Sequence, residues 1–310
     1  MQRIAGALGR DVGGSRTLAG GFSHETCLLT VGDGALVARL GGADQEIEAA
    51  VMAAARPHVP VPEVLLVLPA VGDARPIMLV EYVAGAPLSA VLASSPGAGA
   101  GRMRELGAEV GRVVAGIAAV RFDRPGFFTG ASLAVRPGPP WSAQLPGMAA
   151  ACMAAPGAAA RLDQGTRLAW TELCAAHAPA LTRVDAQAHL VHADINPKNI
   201  LVSEADSGWR VDAVLDWEFA YSGCPYGDAA NMARFGAGYP PGFLAGFTAA
   251  VAAHRPPGLP PDDGWEYLGR VLDMFALSDL VTRPAGNPVA DQAAALIRQW
   301  VAAGLPRVPR

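Results

Sequence analysis

The side chains with the clearest potential for chemistry lie between His192 and Asn199, in the segment HADINPKN, and at Asp216. Asp194 is a carboxylate that can accept the proton of an incoming hydroxyl group. Asn199 and Asp216 offer oxygen atoms, which suit a hard cation such as Mg²⁺. A base beside a cation site fits phosphoryl transfer to a hydroxyl, in which the protein mainly positions the reactants and neutralises charge.

The chain between Asn199 and Asp216 predicts a β-hairpin. Residues 200–202 and 209–215 are largely apolar runs, and the polar stretch 203–208 between them predicts a turn. Such a hairpin would bring Asn199 and Asp216 to the same edge of a cleft. A lone Asp or Asn in a loop is usually a turn or cap residue, so the argument depends on the joint pattern. On that pattern we interpret Asp194 as a catalytic residue and Asn199 and Asp216 as metal ligands.

The pattern H-x-D-x-x-x-x-N, followed by Asp-Trp-Glu at 216–218, resembles the motifs of the aminoglycoside phosphotransferase family, a small-molecule branch of the protein-kinase-like fold. The resemblance runs from about residue 17 to about residue 235 and is sharpest at 190–228. It implies an α+β, bilobal fold with a small β-rich N-terminal lobe and a larger, mainly helical C-terminal lobe. Ala193 stands where the family commonly has Gly.

Several neighbouring residues have a structural or solvent-exposed interpretation instead of a catalytic one. His192 is expected to hold backbone by hydrogen bonds, and Asp228 is predicted to cap the helix that follows it. Lys198 could approach a phosphate or point to water, and we favour water. Glu218 lies near the predicted metal site, where its role as a ligand stays open.

The resemblance also implies an ATP site in the N-terminal part of the chain. Residues 20–26 lie where a kinase has its phosphate-covering loop, which needs glycines so that backbone N–H groups can approach phosphate oxygens. Gly21, Ser23 and His24 are therefore predicted to lie near the phosphates. A Gly-Gly pair alone is a weak signal, because turns use it constantly.

The resemblance further implies that a basic residue on the strand after the hairpin around this loop binds the α- and β-phosphates. Arg39 stands at that position, and a guanidinium can pair with phosphates bidentately. Glu48 is its predicted partner, preferred over Glu46, the alternative being an exposed helix residue. By position, the carbonyl of Glu81 and the N–H of Val83 are predicted to bind the adenine base.

The elements predicted around these residues follow the order strand, strand, helix, strand, strand. Two β-capable runs flank the turn at Gly32-Asp33-Gly34, a helix follows over 45–56, and two more apolar runs follow at 64–68 and 77–83. We predict an ATP-binding lobe at 1–84 and a catalytic and substrate-binding helical lobe at 85–310. In the second lobe, helices are expected at 103–120 and 161–181, with an irregular excursion at 122–160.

Composition excludes several classes of protein. Half of the 310 residues are apolar and 17% are charged, which indicates a globular chain. No apolar run is long enough to span a membrane, and no secretion signal is expected at the N-terminus. The four scattered cysteines favour a reduced, cytoplasmic protein. No basic stripe with interleaved aromatic residues is present, which disfavours nucleic-acid binding.

The acceptor is the open question. Residues 185–310 carry 14 acidic and 9 basic side chains, which favours a cationic substrate, although solvated surface charge explains the excess equally well. The leading hypothesis is an ATP- and Mg²⁺-dependent kinase of a cationic antibiotic, an aminoglycoside or a tuberactinomycin-like peptide, giving resistance. GTP stays open as the donor. The acidic residues that favour this acceptor are Asp262, Asp263, Glu266, Asp273 and Asp279.

Other functions were weighed beside it. The resemblance equally allows a metabolite kinase of the choline, homoserine, thioribose or fructosamine type. A nucleotide-binding module without catalysis is disfavoured, because Asp194, Asn199 and Asp216 are all present. A protein kinase is disfavoured because Trp-Glu replaces Phe-Gly after Asp216 and no Ala-Pro-Glu segment follows.

Overall fold

The computed structural model describes residues 2–18, 25–42, 44–95, 97, 99–206, 208–259 and 265–305. The N-terminal part is an antiparallel five-stranded sheet in the order β1-β2-β3-β5-β4, with one helix on each face. Its elements are α1 (Gln2–Leu8), β1 (Val12–Leu18), β2 (Glu25–Val31), β3 (Gly34–Leu40), α2 (Gln45–Ala55), β4 (Val64–Leu68) and β5 (Ile77–Glu81).

The two faces of this sheet belong to different cores. Strand residues such as Leu29 and Leu79 pack with Ile4 of α1 in a small separate cluster. Met78 and Val80, on the opposite face, join α2 and the main core of the molecule. This arrangement follows from the period-two alternation of a strand, which sends successive side chains to opposite faces. The sheet is therefore held from both sides, and β3 lies at its centre.

The rest of the chain is mainly helical and begins with a short strand, β6 (Ala86–Pro87), which pairs with β8. Its other elements are α3 (Leu88–Ser94), α4 (Ala100–Ile117), α5 (Trp141–Ala154), α6 (Pro156–Ala159), α7 (Gln164–His177), β7 (His189–Val191), β8 (Ile200–Ala205), β9 (Gly208–Val214), β10 (Tyr221–Gly223), α8 (Tyr226–Ala233), α9 (Phe243–His254), α10 (Trp265–Leu280) and α11 (Pro288–Ala303).

Helices α4 and α9 approach each other closely because glycines line their contact. A Cβ atom added at Gly107 would lie 2.0 Å from the carbonyl oxygen of Phe243, and one added at Gly246 would lie 1.9 Å from that of Arg104. Side chains larger than hydrogen would push these helices apart. Beyond α4, the carbonyl of Val120 accepts a 2.9 Å hydrogen bond from the N–H of Leu190 in β7. The packed helix pair thus helps to place the strand that leads into the HADINPKN segment.

The predicted fold class, α+β with a β-rich first part and a mainly helical second part, is confirmed. The hairpin around residues 32–34 and the helix that begins at Gln45 are present as β2, β3 and α2. The proposed boundary at residues 84 and 85 stays a prediction. Among the described residues, no helix is both long and apolar enough to cross a membrane.

The excursion predicted at 122–160 differs from the structure in its second half. Residues 118–140 are irregular, but α5 is a regular helix of 14 residues. Pro146 lies inside α5, and Ala and Gly fill much of its length, which hides its periodicity. The signal was nevertheless present, since its buried residues Trp141, Leu145, Ala149 and Met153 recur every fourth position.

Candidate active site

The HADINPKN segment follows a small antiparallel sheet. Strand β7 pairs with β10, with Val191 opposite Tyr221, and the loop from His192 to Asn199 then joins β7 to β8. Pro197–Asn199 forms a single 3₁₀ turn at the end of that loop. Short strands on both sides therefore fix the two ends of the loop that carries Asp194.

The carboxylate of Asp194 is held by two side-chain amides. Nδ2 of Asn199 donates a 2.9 Å hydrogen bond to Oδ2, and Nδ2 of Asn196 donates one of 3.1 Å to Oδ1. Burial, and then repulsion by the Asp216 carboxylate, raise the pKa of Asp194 to about 6, while these amides and Arg234 oppose the shift. A partly buried base with its pKa near neutrality is well matched to accept a hydroxyl proton.

His192 supports the loop from inside. It is fully buried, its Nε2 lies 2.9 Å from the carbonyl oxygen of Leu215, and its Nδ1 accepts a 3.2 Å bond from the N–H of Asp194. The first contact requires a proton on Nε2 and the second requires Nδ1 without one. Burial lowers the pKa of His192 to about 4, which agrees with a neutral ring. The prediction that His192 holds backbone is confirmed.

The backbone before Asp194 is strained and is held from α8. Ala193 has φ 68°, in the left-handed region that non-glycine residues rarely occupy. Oδ2 and Oδ1 of Asp228 accept hydrogen bonds of 2.8 and 2.9 Å from the N–H groups of His192 and Ala193. Nδ2 of Asn231 donates a 3.1 Å bond to the Ala193 carbonyl. One face of α8 therefore satisfies both polar backbone groups of Ala193.

These contacts correct the predicted role of Asp228. The residue lies inside α8, whose N-cap position is Pro225, and its carboxylate binds the catalytic loop instead of the helix terminus. The predicted structural role is confirmed, but the N-cap was wrong, because the carboxylate binds the backbone N–H groups of His192 and Ala193. Burial raises the pKa of Asp228 to about 7, although the two N–H donors favour its charged form.

The predicted hairpin between the two metal-ligand candidates is confirmed. Strands β8 and β9 pair in antiparallel register, with Ile200 opposite Val214. At its open end the N–H of Leu215 donates a 2.8 Å bond to the carbonyl of Asn199. Asp216, with φ 67°, follows directly. The hairpin thus brings the Asn199 and Asp216 backbones together, as the spacing requires.

Arg39 connects the two lobes across the cleft. Its guanidinium bonds Glu48 through Nη1 and Asp216 through Nη2, the latter at 2.7 Å. Glu48 is almost fully buried and also accepts a 3.1 Å bond from the N–H of Trp217, whereas Glu46 is exposed. Burial raises the pKa of Glu48, and the charge of Arg39 opposes that shift. The structure therefore selects Glu48 as the partner of Arg39.

The donor atoms fit a hard divalent cation. Asn199 uses its amide nitrogen to hold Asp194, so its carbonyl oxygen is the atom of that side chain that can ligate a cation. Asp216 adds a carboxylate directly after Leu215, whose N–H bonds the carbonyl of Asn199. Mg²⁺ usually takes one or two protein oxygens together with water and substrate phosphates. Among the described residues there is no cluster of three or more His, Cys, Asp or Glu side chains that could hold a metal.

Gly21, Ser23 and His24 lie outside the described residues. Glu81 ends β5 and Val83 follows in the segment between the lobes, so their contacts with adenine stay predictions. Lys198 is exposed, in agreement with a side chain that points to water.

The sequence did not point to Asn196, which bonds Asp194, or to Arg234, which influences its pKa. Asn196 precedes Pro197, a pairing typical of an N-cap followed by the first residue of a helical turn, and this signal was available. Arg234 forms a buried ion pair with Asp273 at 2.6 Å, and its charge lowers the pKa of Asp194. No local spacing signals that contact.

The acidic residues that favoured a cationic acceptor are differently placed. Asp262 and Asp263 lie outside the described residues. Asp273 is paired with Arg234, and Asp279 contacts Arg283 at 3.0 Å. A separate pocket of about 230 Å³ is lined by residues such as Phe127, and no predicted site residue lines it.

Comparison with known proteins shows the family and the fold of this chain. A model described as "phosphotransferase enzyme family" matches residues 15–265. A thermostable mutant of aminoglycoside phosphotransferase APH(4)-Ia, solved with ADP and hygromycin B, is similar in structure, with a TM-score of 0.70, 19% identity and 98% of each chain covered. A comparison with curated proteins found no match.

Two further solved structures share the fold. The GDP complex of a mutant aminoglycoside 2'-phosphotransferase IIIa has a TM-score of 0.66 and 17% identity, and the alignment covers 97% of this chain and 96% of that one. A putative fructosamine-3-kinase from Haemophilus somnus has a TM-score of 0.62 and 13% identity, with 96% and 95% covered. At these identities the similarity shows the fold alone.

Proposed function

This chain belongs to the phosphotransferase enzyme family, and we propose that it transfers the γ-phosphate of ATP to a hydroxyl group of a small molecule, with Mg²⁺ as cofactor. The observation that carries the proposal is the position of Asp194. Its carboxylate is held by Asn196 and Asn199, and the hairpin brings Asn199 beside Asp216, which Arg39 contacts from the other lobe. These contacts support a proton acceptor, a cation site and a phosphate-binding arginine that lie close to one another.

The proposed reaction uses these residues in distinct roles. The acceptor oxygen forms a bond to the γ-phosphorus while its proton passes to the Asp194 carboxylate, and the bond from that phosphorus to the β-phosphate oxygen breaks, releasing ADP. Arg39 would orient the α- and β-phosphates. Asn199 and Asp216 would hold Mg²⁺, which neutralises charge on the phosphate oxygens when it is bound.

On the nucleotide side the proposal includes residues of the N-terminal lobe. Glu81 and Val83 would bind the base through backbone groups, a mode that does not separate ATP from GTP by side-chain type. Gly21, Ser23 and His24 would cover the phosphates. A similar protein is known in complex with GDP, so both nucleotides belong in the test.

For the acceptor, we propose a cationic antibiotic first, because one similar structure contains hygromycin B. A role in antibiotic resistance would follow from that acceptor. Asp273 and Asp279 are engaged by arginines, so the carboxylates that bind such a substrate would be others. A glycated amine is the second candidate, because another similar protein is a putative fructosamine-3-kinase.

A coupled assay of ADP release tests the proposal. The full chain, with ATP or GTP and Mg²⁺, is offered hygromycin B, other aminoglycosides, a tuberactinomycin-type peptide, a fructosamine, choline, homoserine and thioribose sugars. Acceptor-dependent ADP release that Asp194→Ala abolishes supports the proposed reaction. Nucleotide binding without release of ADP in the presence of any acceptor would instead indicate a non-catalytic nucleotide-binding module.

A further inference from the structure

The side-chain amide of Asn196 makes hydrogen bonds within the loop from both its nitrogen and its oxygen. Its Nδ2 donates to Oδ1 of Asp194 at 3.1 Å and to the carbonyl oxygen of Asp194 at 3.2 Å. Its Oδ1 accepts a 2.9 Å bond from the N–H of Lys198. Since one end of the amide accepts from backbone and the other donates to a carboxylate, the orientation of the side chain is defined by its partners.

The two amides that hold Asp194 bind different oxygens of its carboxylate. Asn199 bonds Oδ2 of Asp194 with its nitrogen, while its oxygen is the proposed ligand of Mg²⁺. Asn196 bonds the other oxygen, and its own oxygen is already engaged by Lys198. A carboxylate held at each oxygen by a different amide cannot rotate about its χ2 bond without losing one of them. Each oxygen still has a second lone pair for an incoming hydroxyl.

We propose that Asn196 is a positioning residue that orients the Asp194 carboxylate toward the acceptor hydroxyl. The inference rests on the proposed function, because it gives Asp194 the part of the proton acceptor. Asn196 itself does not touch the reacting atoms. It acts by keeping Asp194 Oδ1 in place whether or not Asn199 is also bound to a cation.

Two variants separate the contact with Asp194 from the support of the loop. Asn196→Asp keeps an oxygen for the N–H of Lys198 but replaces the donor to Asp194 with an acceptor. Asn196→Ala is neutral and removes both contacts. Matched controls exist at the start of α11, where Asn287 also precedes a proline and its Oδ1 accepts bonds of 3.0 and 3.1 Å from Val289 and Ala290. Asn287→Asp and Asn287→Ala make the same chemical changes there.

The measurement is the hydrolysis of Mg²⁺-ATP by the full chain, with water as the acceptor. We expect kcat to fall about 10- to 100-fold in both Asn196 variants, because a displaced base loses the alignment of the reacting groups. The KM for ATP should change less than about twofold, because the contact affects the transition state and not the binding of ATP. Both Asn287 variants should keep the wild-type kcat.

The controls distinguish the two ways in which the inference can fail. If Asp194→Ala hydrolyses ATP as fast as the wild type, the proposed function and this inference are both wrong. If Asp194→Ala is slow but both Asn196 variants keep the wild-type kcat, only the role of Asn196 is wrong. A parallel rise in KM for ATP and loss of thermal stability, with kcat unchanged, would likewise reduce Asn196 to a structural turn residue.

A second measurement needs no turnover. In the full chain labelled with ¹⁵N at asparagine, Asp194→Ala should shift the side-chain amide signals of Asn196, because their hydrogen-bond acceptor is removed. The amide signals of Asn287, which caps α11 far along the chain, should not move. Asn196 signals that stay unchanged in Asp194→Ala would overturn the inference.

Discussion

The N-terminal and the C-terminal side of the candidate site are each stabilised by a different kind of interaction. On the N-terminal side, Arg39 joins Glu48 and Asp216 through ionic hydrogen bonds. On the C-terminal side, Asp194 is held by neutral amides, and its loop is held by bonds to backbone groups. In the proposed reaction, charge would suit the side that receives phosphates, whereas directional bonds would suit the side that must place a base to a fraction of an ångström.

The difference also has a consequence for how each side can be altered. Removing one member of a buried ion pair leaves its partner charged and desolvated, which costs about 3–5 kcal/mol. Asp194 itself lies on a loop whose strained Ala193 is stabilised by Asp228 and Asn231 of α8. Strain of this kind costs about 1–3 kcal/mol and persists only when the surroundings enforce it. The arrangement around Arg39 therefore depends on charge balance, and the arrangement around Asp194 depends on geometry.

The largest effect is expected from removing the base itself. Asp194→Asn keeps the size of the side chain but cannot take a proton, so kcat should fall about 10²- to 10⁴-fold. The KM for ATP and the unfolding midpoint should change little, because Arg39 and Glu48 are untouched. Steady-state kinetics and thermal unfolding measure both. Near wild-type turnover would show that Asp194 is not the base of the reaction.

A smaller loss is expected when the support of the loop is weakened from α8. Asp228→Asn keeps one oxygen acceptor but turns a donor toward a backbone N–H group, so one of the bonds to His192 and Ala193 is lost. We expect kcat to fall about 10-fold or more through misplacement of Asp194. The free energy of unfolding should fall by about 1–3 kcal/mol.

Urea unfolding and steady-state kinetics on the same preparation test this variant. The KM for ATP should remain close to that of the wild type, since the nucleotide side is unchanged. A variant with lowered stability but full kcat would show that Asp228 supports the fold without positioning the base.

Arg39→Lys tests the proposed nucleotide side. A lysine has the same charge but is a single compact donor group, so it cannot hold Glu48 and Asp216 in the fork geometry of a guanidinium. We expect the KM for ATP to rise about tenfold, which corresponds to about 1.4 kcal/mol. The kcat at saturating ATP should fall less. The opposite result, a lower kcat with an unchanged KM, would show that Arg39 acts in the transition state and not in the binding of ATP.

The smallest effect is the dependence of activity on pH. Asp194 must be ionised to accept a proton, and burial raises its pKa to about 6. The value of kcat/KM should therefore be full above that pH, be halved near pH 6 and decline further in acid. His192 has a pKa of about 4, so a fall centred near pH 4 would point to that ring instead of the base.

Much of the site was predictable because its parts are local. Asp194 and Asn199 lie five residues apart in one loop, and the hairpin that follows is encoded by two apolar runs and a polar turn. Arg39 and Glu48 were assigned from the resemblance to kinases, and only a strand end, a short connection and the first turn of a helix separate them. Short-range spacing of this kind survives in the sequence because few conformations satisfy it.

Other parts were not predictable from the same sequence. Asp228 was interpreted as a helix cap, since its position before an alanine-rich helix fits that role, and its actual partners lie 35 and 36 residues upstream. Helix α5 was missed because Pro146 and small residues obscure its periodicity. In both cases a weak local pattern competed with packing that involves distant segments.

The sequence by itself determined which chemical groups are available and in which order, because catalytic motifs are short and each residue type has its own chemistry. Only the tertiary structure decided which groups meet. Arg39 and Asp216 are 177 residues apart, and their contact depends on how two lobes pack. The same holds for the α8 face that supports Ala193. Such contacts arise from the burial of apolar surface across the whole chain, which no local spacing records.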